Sequence, residues 1–191
     1  MTSLEAPLGV VLFVTFAMIV AAVIDGWKLK VPNWLTFPFV LSGLAYHSFM
    51  HGTDGLIGSL IGCGVGLGLL LVPYIIGGMG AGDVKLFAGV GAWMGASFTF
   101  GAFLISAIVG GVLSLAIVGY RGLRARDWSV VFSHLDRFKT VATELTTLLP
   151  SHGPSHLAEL AAARKPTAML LPYGIPLAIG TVAYFFYVGL L

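Results

Sequence analysis

The chain has 191 residues, of which 58% are hydrophobic and 9% are charged, and its mean hydropathy is +0.97. Soluble domains carry about a quarter charged residues, so a soluble globular domain is excluded. Disorder is excluded because it requires low hydrophobicity and high net charge, and the net charge here is +2. The composition therefore indicates an integral membrane protein, and a few Lys and Arg residues that orient it give no reason to expect nucleic acid as a partner.

Apolar stretches along the chain predict an all-α polytopic fold with about six transmembrane helices. The first covers residues 6–24, and we interpret it as a retained helix because Glu5 precedes it and a basic start, typical of a signal peptide, is missing. Further spans are predicted over residues 34–50, 56–76 and 168–190. The apolar stretch 84–119 is too long for one helix and short for two, and we divide it near residues 95–99.

Polar segments separate the first three spans. Residues 25–33 are predicted to form a loop, and residues 51–55 are predicted to form a short turn. In the span that follows, Gly58, Gly62 and Gly66 recur at a spacing of four. This spacing predicts one helix face of small residues that a neighbouring backbone can approach closely.

Six spans also make a statement about orientation. With alternate crossings, all ten Lys and Arg residues fall on one face, which is then predicted to be cytoplasmic. Treating residues 84–119 as one span would move seven of the ten to the opposite face. The charge distribution therefore favours six spans, with both chain termini outside.

Residues 120–167 form the one stretch of soluble character in an otherwise membrane-embedded single domain, residues 1–191. Apolar residues recur there at steps of three and four, which predicts an amphipathic helix lying in the cytoplasmic interface against anionic lipid. His152 and His156 have a spacing that suits a metal, but Gly153 and Pro154 interrupt the helix that this spacing needs. With a single cysteine, Cys63, no metal or other cofactor is expected.

Among the eight acidic residues, Asp25 and Asp83 have the most informative positions. The predicted topology places both at the cytoplasmic boundary, where an ionisable group is a functional candidate. A plain interfacial charge remains the alternative, with Asp25 paired to Lys28 and Asp83 paired to Lys85. Against this, Asp83 follows glycines at every second position from 78 to 82, a backbone that an extended substrate strand could approach closely.

Two carboxylates on one face are what peptide hydrolysis needs when neither a metal nor a nucleophile takes part. At close range both cannot ionise easily, so one stays protonated while the other is charged. The charged member takes a proton from the attacking water, and the protonated member donates to the carbonyl oxygen. Which aspartate has which role remains open at this point, because coupled groups titrate jointly.

These residues resemble the prepilin peptidase family of membrane aspartic proteases. Residues 80–83, Gly-Ala-Gly-Asp, are similar to the family's Gly-x-Gly-Asp motif and are followed by Val-Lys-Leu. Residues 31–36, Val-Pro-Asn-Trp-Leu-Thr, are similar to the segment that follows its first catalytic aspartate, and residues 171–176, Leu-Pro-Tyr-Gly-Ile-Pro, to its Pro-Tyr-Gly segment. Three matches in the family's order cover nearly the whole chain.

The resemblance implies an aspartic endopeptidase of the bacterial inner membrane, with its active site facing the cytoplasm, that removes the basic leader of pilin or pseudopilin precursors. It implies that Asp25 and Asp83 are the catalytic pair. Gly80 and Gly82 would shape the loop around Asp83. Three further residues match the motifs as supporting positions: Pro32, Asn33 and Lys85.

One departure from the family concerns the first cytoplasmic loop. Larger relatives carry there a region with paired cysteines for zinc and a second, methyltransferase activity, whereas residues 25–33 fill the loop here. A methyltransferase is therefore not expected, and the short form resembles the branch that serves tight-adherence (Flp-type) pili.

Two other functions stay open from the sequence. A proton-coupled transporter would also use boundary aspartates and proline-kinked helices, although the chain shows no internal repeat. A non-catalytic subunit of a pilus or secretion assembly would tolerate replacement of both aspartates.

Overall fold

In a computed structural model, residues 6–28, 30–75, 79–125 and 173–191 are described. These parts of the chain form four helical elements: α1 (Leu8–Lys28), α2 (Asn33–Ile75), α3 (Ala81–Ala125) and α4 (Gly174–Val188). The described residues contain no strand, which confirms the all-α class. Most of the predicted interfacial segment, with its two histidines, lies outside the described residues.

Two glycines interrupt the long helices α2 and α3. Gly52 has φ 62° and ψ −141°, and Gly95 has φ 78° and ψ 173°. Residues other than glycine rarely adopt positive φ, so both sites are suited to a sharp change of direction. We therefore name the helical segments α2a (33–51), α2b (53–75), α3a (81–94) and α3b (96–125).

The first segment of α2 runs alongside α3a in the same direction. Phe39 lies against Gly89, and four residues later Gly43 lies against Trp93. The Trp93 indole N–H also donates a hydrogen bond to the Phe39 carbonyl, at 2.9 Å. Residue numbers thus rise together along α2a and α3a.

The second segment of α2 runs along the same stretch of α3a in the opposite direction. Ser59 donates a hydrogen bond of 2.6 Å to the carbonyl of Ala92, whereas Gly66 lies against Phe87. Since α2a and α2b pass the same residues in opposite directions, the chain doubles back at Gly52.

Helix α3 doubles back in the same way at Gly95, as its contacts with α4 show. Gly101 lies against Tyr184 near the end of α4, and Gly110 lies near Tyr173 at its start. Asp83, at the beginning of α3a, interacts electrostatically with the same Tyr173. Both ends of α3 therefore approach the start of α4, and its middle lies at the other end of the bundle.

The bundle thus has two distinct ends. At the aspartate end, α1 finishes, α2a and α3a begin, and α4 begins. At the opposite end lie both kinks, and a cavity of about 740 Å³ there is lined by residues such as His47, Asp54 and Gly95. Between the ends, the apolar core includes three fully buried phenylalanines, Phe87, Phe98 and Phe185.

Within the described parts of the chain, three helices are long and apolar enough to cross a membrane: Leu8–Lys28, Asn33–Ile75 and Ala81–Ile117. The second and third are far longer than the roughly 20 residues that one crossing needs. Large apolar side chains are exposed along these helices, for example Phe16, Ile108 and Leu115.

One predicted helix end is wrong, and one predicted turn is shorter than expected. The chain does turn within residues 51–55, but only Gly52 departs from helical backbone geometry there. The first polar loop does not begin at Asp25, because α1 carries polar residues into its last turn and continues to Lys28. Helix α4 begins at Gly174, and the first part of the last predicted span, residues 168–172, lies outside the described residues.

Small residues let α2b and α3a approach closely. A Cβ atom on Gly62 would collide with the carbonyl of Gly91, and one on Gly66 would collide with that of Phe87. Contacts of this kind are typical of helix pairs in membranes, where close packing drives association. The predicted contribution of Gly58 to this face is wrong, because a Cβ atom added there would have no neighbour within 4 Å.

Gly62→Val is expected to lower the stability of the helical bundle by about 1–3 kcal/mol, because the added side chain forces α2b away from α3a. Gly64→Val is the matched control, since it makes the same change two residues away, where nothing lies within 4 Å of the Cβ position. Denaturant-induced unfolding of the purified protein in detergent measures both. Equal losses in the two variants would contradict the contact.

Candidate active site

The carboxylate of Asp25 connects the first helix to the last. Asp25 lies in the final turns of α1, is 2% exposed, and its Oδ2 accepts a hydrogen bond of 2.8 Å from the backbone N–H of Gly174. That N–H belongs to the first residue of α4, where backbone donors have no partner within their own helix. Asp25 therefore satisfies one free donor at the start of α4.

Glycine at position 174 is what allows this approach. A Cβ atom there would lie 2.9 Å from the Cβ of Asp25 and 3.0 Å from its Oδ2. Any larger residue would push α4 away from the carboxylate. Pro176, in the first turn of α4, fits this helix start because the first backbone N–H groups need no helical acceptor.

Asp83 lies in the first turn of α3 and is 4% exposed. Its Oδ2 accepts a hydrogen bond of 3.2 Å from the backbone N–H of Gly80, and its own N–H donates to the Gly80 carbonyl. This is the side-chain half of a capping box, in which the third helical residue reaches back to the residue before the helix. Among the described residues, the buried Oδ1 of Asp83 has no hydrogen-bond partner.

Gly82 places this helix start against the loop before α2. A Cβ atom on Gly82 would collide with the carbonyl of Val31, which is itself buried. The next residue, Pro32, accepts backbone hydrogen bonds from Leu35 and Thr36 and so begins α2. The two predicted motif segments are thus in direct contact.

The two aspartates lie close enough to interact electrostatically, and Tyr173 interacts with Asp83 in the same way. Neither carboxylate forms an ion pair with any residue that the structure describes. The described contacts therefore do not include the alternative ion pairs, Asp25 with Lys28 and Asp83 with Lys85. The site holds two buried carboxyl groups, and one of them has an oxygen to which no described residue donates. Such an arrangement is able to take up and release protons.

Lys85 points away from Asp83, as expected for its position two residues further along a helix. Its Nζ donates a hydrogen bond of 3.0 Å to the Oδ1 of Asn33 and lies 4.8 Å from the centre of the Phe37 ring. Lys85 and Asn33 therefore connect the beginnings of α3 and α2 on the outside of the site.

An apolar groove of about 810 Å³ runs between α1 and α4, and at the aspartate end of the bundle it reaches the residue after Asp25. At this end it is lined by Gly26, Trp27 and Ile175, which are the neighbours of Asp25 and Gly174. It continues past Ile179 to Phe186 along α4. At 1.5 Å per residue this covers roughly 16 Å, about half the hydrocarbon thickness of a bilayer.

From the sequence alone, no individual residue of the motif at 171–176 could be assigned a role in the site. The structure brings Gly174 to Asp25 and Tyr173 to the neighbourhood of Asp83, so this motif supplies part of the site. Its glycine has a proline two residues away on either side, which is a signal for a helix start. Its partner Asp25, 149 residues away, could not be identified from the sequence. Among the described residues no three His, Cys, Asp or Glu side chains are grouped so that they could hold a metal ion.

Comparison with known proteins gives consistent matches. The model of the type IV leader peptidase family matches residues 12–115, which include both aspartates. A prepilin leader peptidase/N-methyltransferase of Aeromonas hydrophila is 30% identical over 113 residues, which are 56% of this chain and 39% of that protein. Proteins with the same name from Pectobacterium carotovorum subsp. carotovorum and Bacillus subtilis (strain 168) are 32% identical over 126 residues and 33% identical over 103 residues.

The Pectobacterium match covers 62% of this chain and 43% of the relative, and the Bacillus match covers 53% and 41%. The chain thus spans about two fifths of the length of the curated relatives it matches. No solved structure matches it significantly. Since the family model covers more than half of the chain, this protein belongs to the type IV leader peptidase family.

Proposed function

We propose that this protein is a prepilin leader peptidase, an aspartic endopeptidase that cleaves the leader from pilin or pseudopilin precursors. The observation that carries the proposal is the convergence of two buried aspartates, Asp25 and Asp83, from separate parts of the sequence at one end of the bundle. Family membership and the names of the relatives support the same activity. The proposal covers the peptidase and not the methyltransferase that those names include, because four residues connect α1 to α2.

In the proposed reaction, one aspartate removes a proton from water while the other donates a proton to the scissile carbonyl. Each role needs a carboxyl group at the reacting atoms. Gly80, Gly82 and Pro32 would hold Asp83 and the adjoining loop in place, and Asn33 with Lys85 would fix the two helix starts relative to each other. The reaction needs no metal or other cofactor.

We place the protein in the bacterial inner membrane, with six crossings and the aspartate end facing the cytoplasm. The reversals at Gly52 and Gly95 support six crossings, since each divides a long apolar helix into two antiparallel segments. The exposed Lys28 and Lys30 lie at the aspartate end, as the positive-inside rule expects for a cytoplasmic face. Residues 120–167 are proposed to lie on the lipid interface at this face.

A precursor with a basic leader in the cytoplasm and an apolar helix in the bilayer would present its scissile bond at this depth. Its apolar helix would have to enter between helices from the lipid. The groove between α1 and α4 supports such a route, because it is apolar and begins next to Asp25. The short loop between α1 and α2 favours Flp-type precursors. A transporter or assembly subunit would give no reason for the apolar groove to begin at the residue after Asp25.

Asp25→Asn and Asp83→Asn are each expected to lower cleavage at least about a hundredfold, because removal of one acid or base group costs at least this much. The chain is co-expressed with a candidate Flp-type precursor in a host without its own prepilin peptidase, and mass spectrometry reads the pilin N-terminus. Asp54→Asn, at the opposite end of the bundle, is the control and should cleave normally. Cleavage that survives either active-site substitution would contradict the two-aspartate mechanism.

Ile179→Trp is expected to reduce cleavage of a membrane-embedded precursor about tenfold or more, because the larger side chain fills the groove and over-packing costs about 1–3 kcal/mol. Ile179 is 47% exposed and lines the groove. Ile108→Trp is the matched control, because Ile108 is 67% exposed and lies outside it. Initial rates in vesicles compare the variants, and equal rates would mean that substrate takes another route.

Lys85→Met is expected to lower kcat/KM by less than about tenfold, because it removes one hydrogen bond to Asn33 outside the site while keeping an apolar side chain over Phe37. The rate is measured beside that of Asp83→Asn. A loss as large as that of the aspartate variant would show that Lys85 takes a direct part in the reaction.

A further inference from the structure

The two carboxyl groups of the site have unequal hydrogen-bonding environments. Asp25 Oδ2 accepts a bond of 2.8 Å from Gly174, which has the length typical of bonds to a charged acceptor. Asp83 Oδ2 accepts a longer bond of 3.2 Å from Gly80. The other oxygen of Asp83 is buried and receives no donor from the described residues.

The helix dipoles favour the opposite distribution of charge between the two aspartates, but their effect is weaker than that of the hydrogen bonds. Asp83 lies in the first turn of α3, where the helix dipole favours a negative charge, and Asp25 lies near the end of α1, where it does not. The N-terminus of α4 offsets this unfavourable effect, because its dipole favours the negative charge of Asp25, which accepts the hydrogen bond from Gly174. Leaving a buried acceptor without a donor costs about three times as much as such a dipole contributes, and more for a charged group.

No described cation changes this comparison. The Lys85 ammonium is bound to Asn33 and lies over a ring, while Lys28 and Lys30 are exposed to the surroundings. Tyr173 is the other titratable group facing Asp83, and its interaction with that residue is electrostatic. The balance therefore rests on the hydrogen bonds to the two carboxyl groups.

We infer that Asp83 carries the proton of the resting pair and that Asp25 carries the charge. A proton on Asp83 Oδ1 removes the charge from the buried oxygen that receives no donor, and leaves Oδ2 free to accept from Gly80. Gly174 is then a positioning residue, because its N–H holds Asp25 in the charged form.

The catalytic meaning of this assignment rests on the proposed function. Asp25 removes a proton from water as the water oxygen bonds to the scissile carbon. The carbonyl π electrons move to its oxygen, which takes the proton from Asp83, and a gem-diol forms. In the second half the C–N bond breaks with its electron pair on nitrogen, which takes the proton from Asp25. Asp83 recovers a proton from a gem-diol hydroxyl, so the resting pair is restored.

Infrared spectroscopy of the purified protein at neutral pH tests the assignment through the carbonyl stretch of protonated carboxyl groups. The chain suits this measurement because it has eight acidic residues in all. A detergent without ester groups avoids overlapping bands. Wild type is compared with Asp25→Asn, Asp83→Asn and the control Asp54→Asn, each checked for helical content and monodispersity.

We expect a band worth about one protonated carboxyl group per chain in wild type, Asp25→Asn and Asp54→Asn, and its loss in Asp83→Asn. Loss in Asp25→Asn with retention in Asp83→Asn would overturn the assignment. So would no band in wild type, or an equal band in all four proteins. If an asparagine variant fails to fold, serine at the same position replaces it.

The readout does not depend on cleavage. If the expected bands are seen but no precursor is cleaved, the assignment of the proton to Asp83 stands and the peptidase proposal is overturned. Cleavage that depends on both aspartates, with the reverse band pattern, would leave the peptidase and overturn the assignment.

Discussion

The hydrogen bond from Gly174 to Asp25 is the constraint on which the site depends. It joins the first helix to the last across 149 residues of sequence, and it requires that position 174 carry no side chain. Because the donor is the free N–H of a helix start, Asp25 can be buried without leaving its carboxylate unsolvated. The same hydrogen bond holds α1 and α4 together where the groove between them begins. The candidate substrate route therefore starts next to one member of the aspartate pair.

Close backbone contacts serve the second aspartate in the same manner. Gly82 lies against Val31, and Gly62 lies against Gly91 further along α3a, so this helix has fixed neighbours on both sides. In a bilayer, apolar side chains gain little by leaving lipid for protein, and close contact between helices is one of the main sources of association. The glycines of this chain therefore position Asp83 through the packing of the helix that carries it.

The candidate catalytic pair combines burial with an incomplete set of donors. The buried Oδ1 of Asp83 receives no hydrogen bond from the described residues. An unpaired polar atom of this kind is costly in a low-dielectric interior, and sites that retain one are candidates for function. The chain belongs to the type IV leader peptidase family, and in the proposed peptidase reaction this atom would take part in proton transfer.

Composition and motif order predicted much by themselves: the membrane class, the helical fold, the two candidate aspartates and the division of residues 84–119 near Gly95. These follow from local properties, since hydropathy, spacing and glycine content are written along the chain. The sequence predicted turns at residues 51–55 and 95–99, but it could not determine that a single glycine with positive φ makes each reversal, because a glycine permits a positive φ without requiring it. Nor could it determine that Gly174 donates a hydrogen bond to Asp25, or that the described residues leave one oxygen of Asp83 without a donor. Both depend on how distant helices pack, and only the tertiary structure decided them.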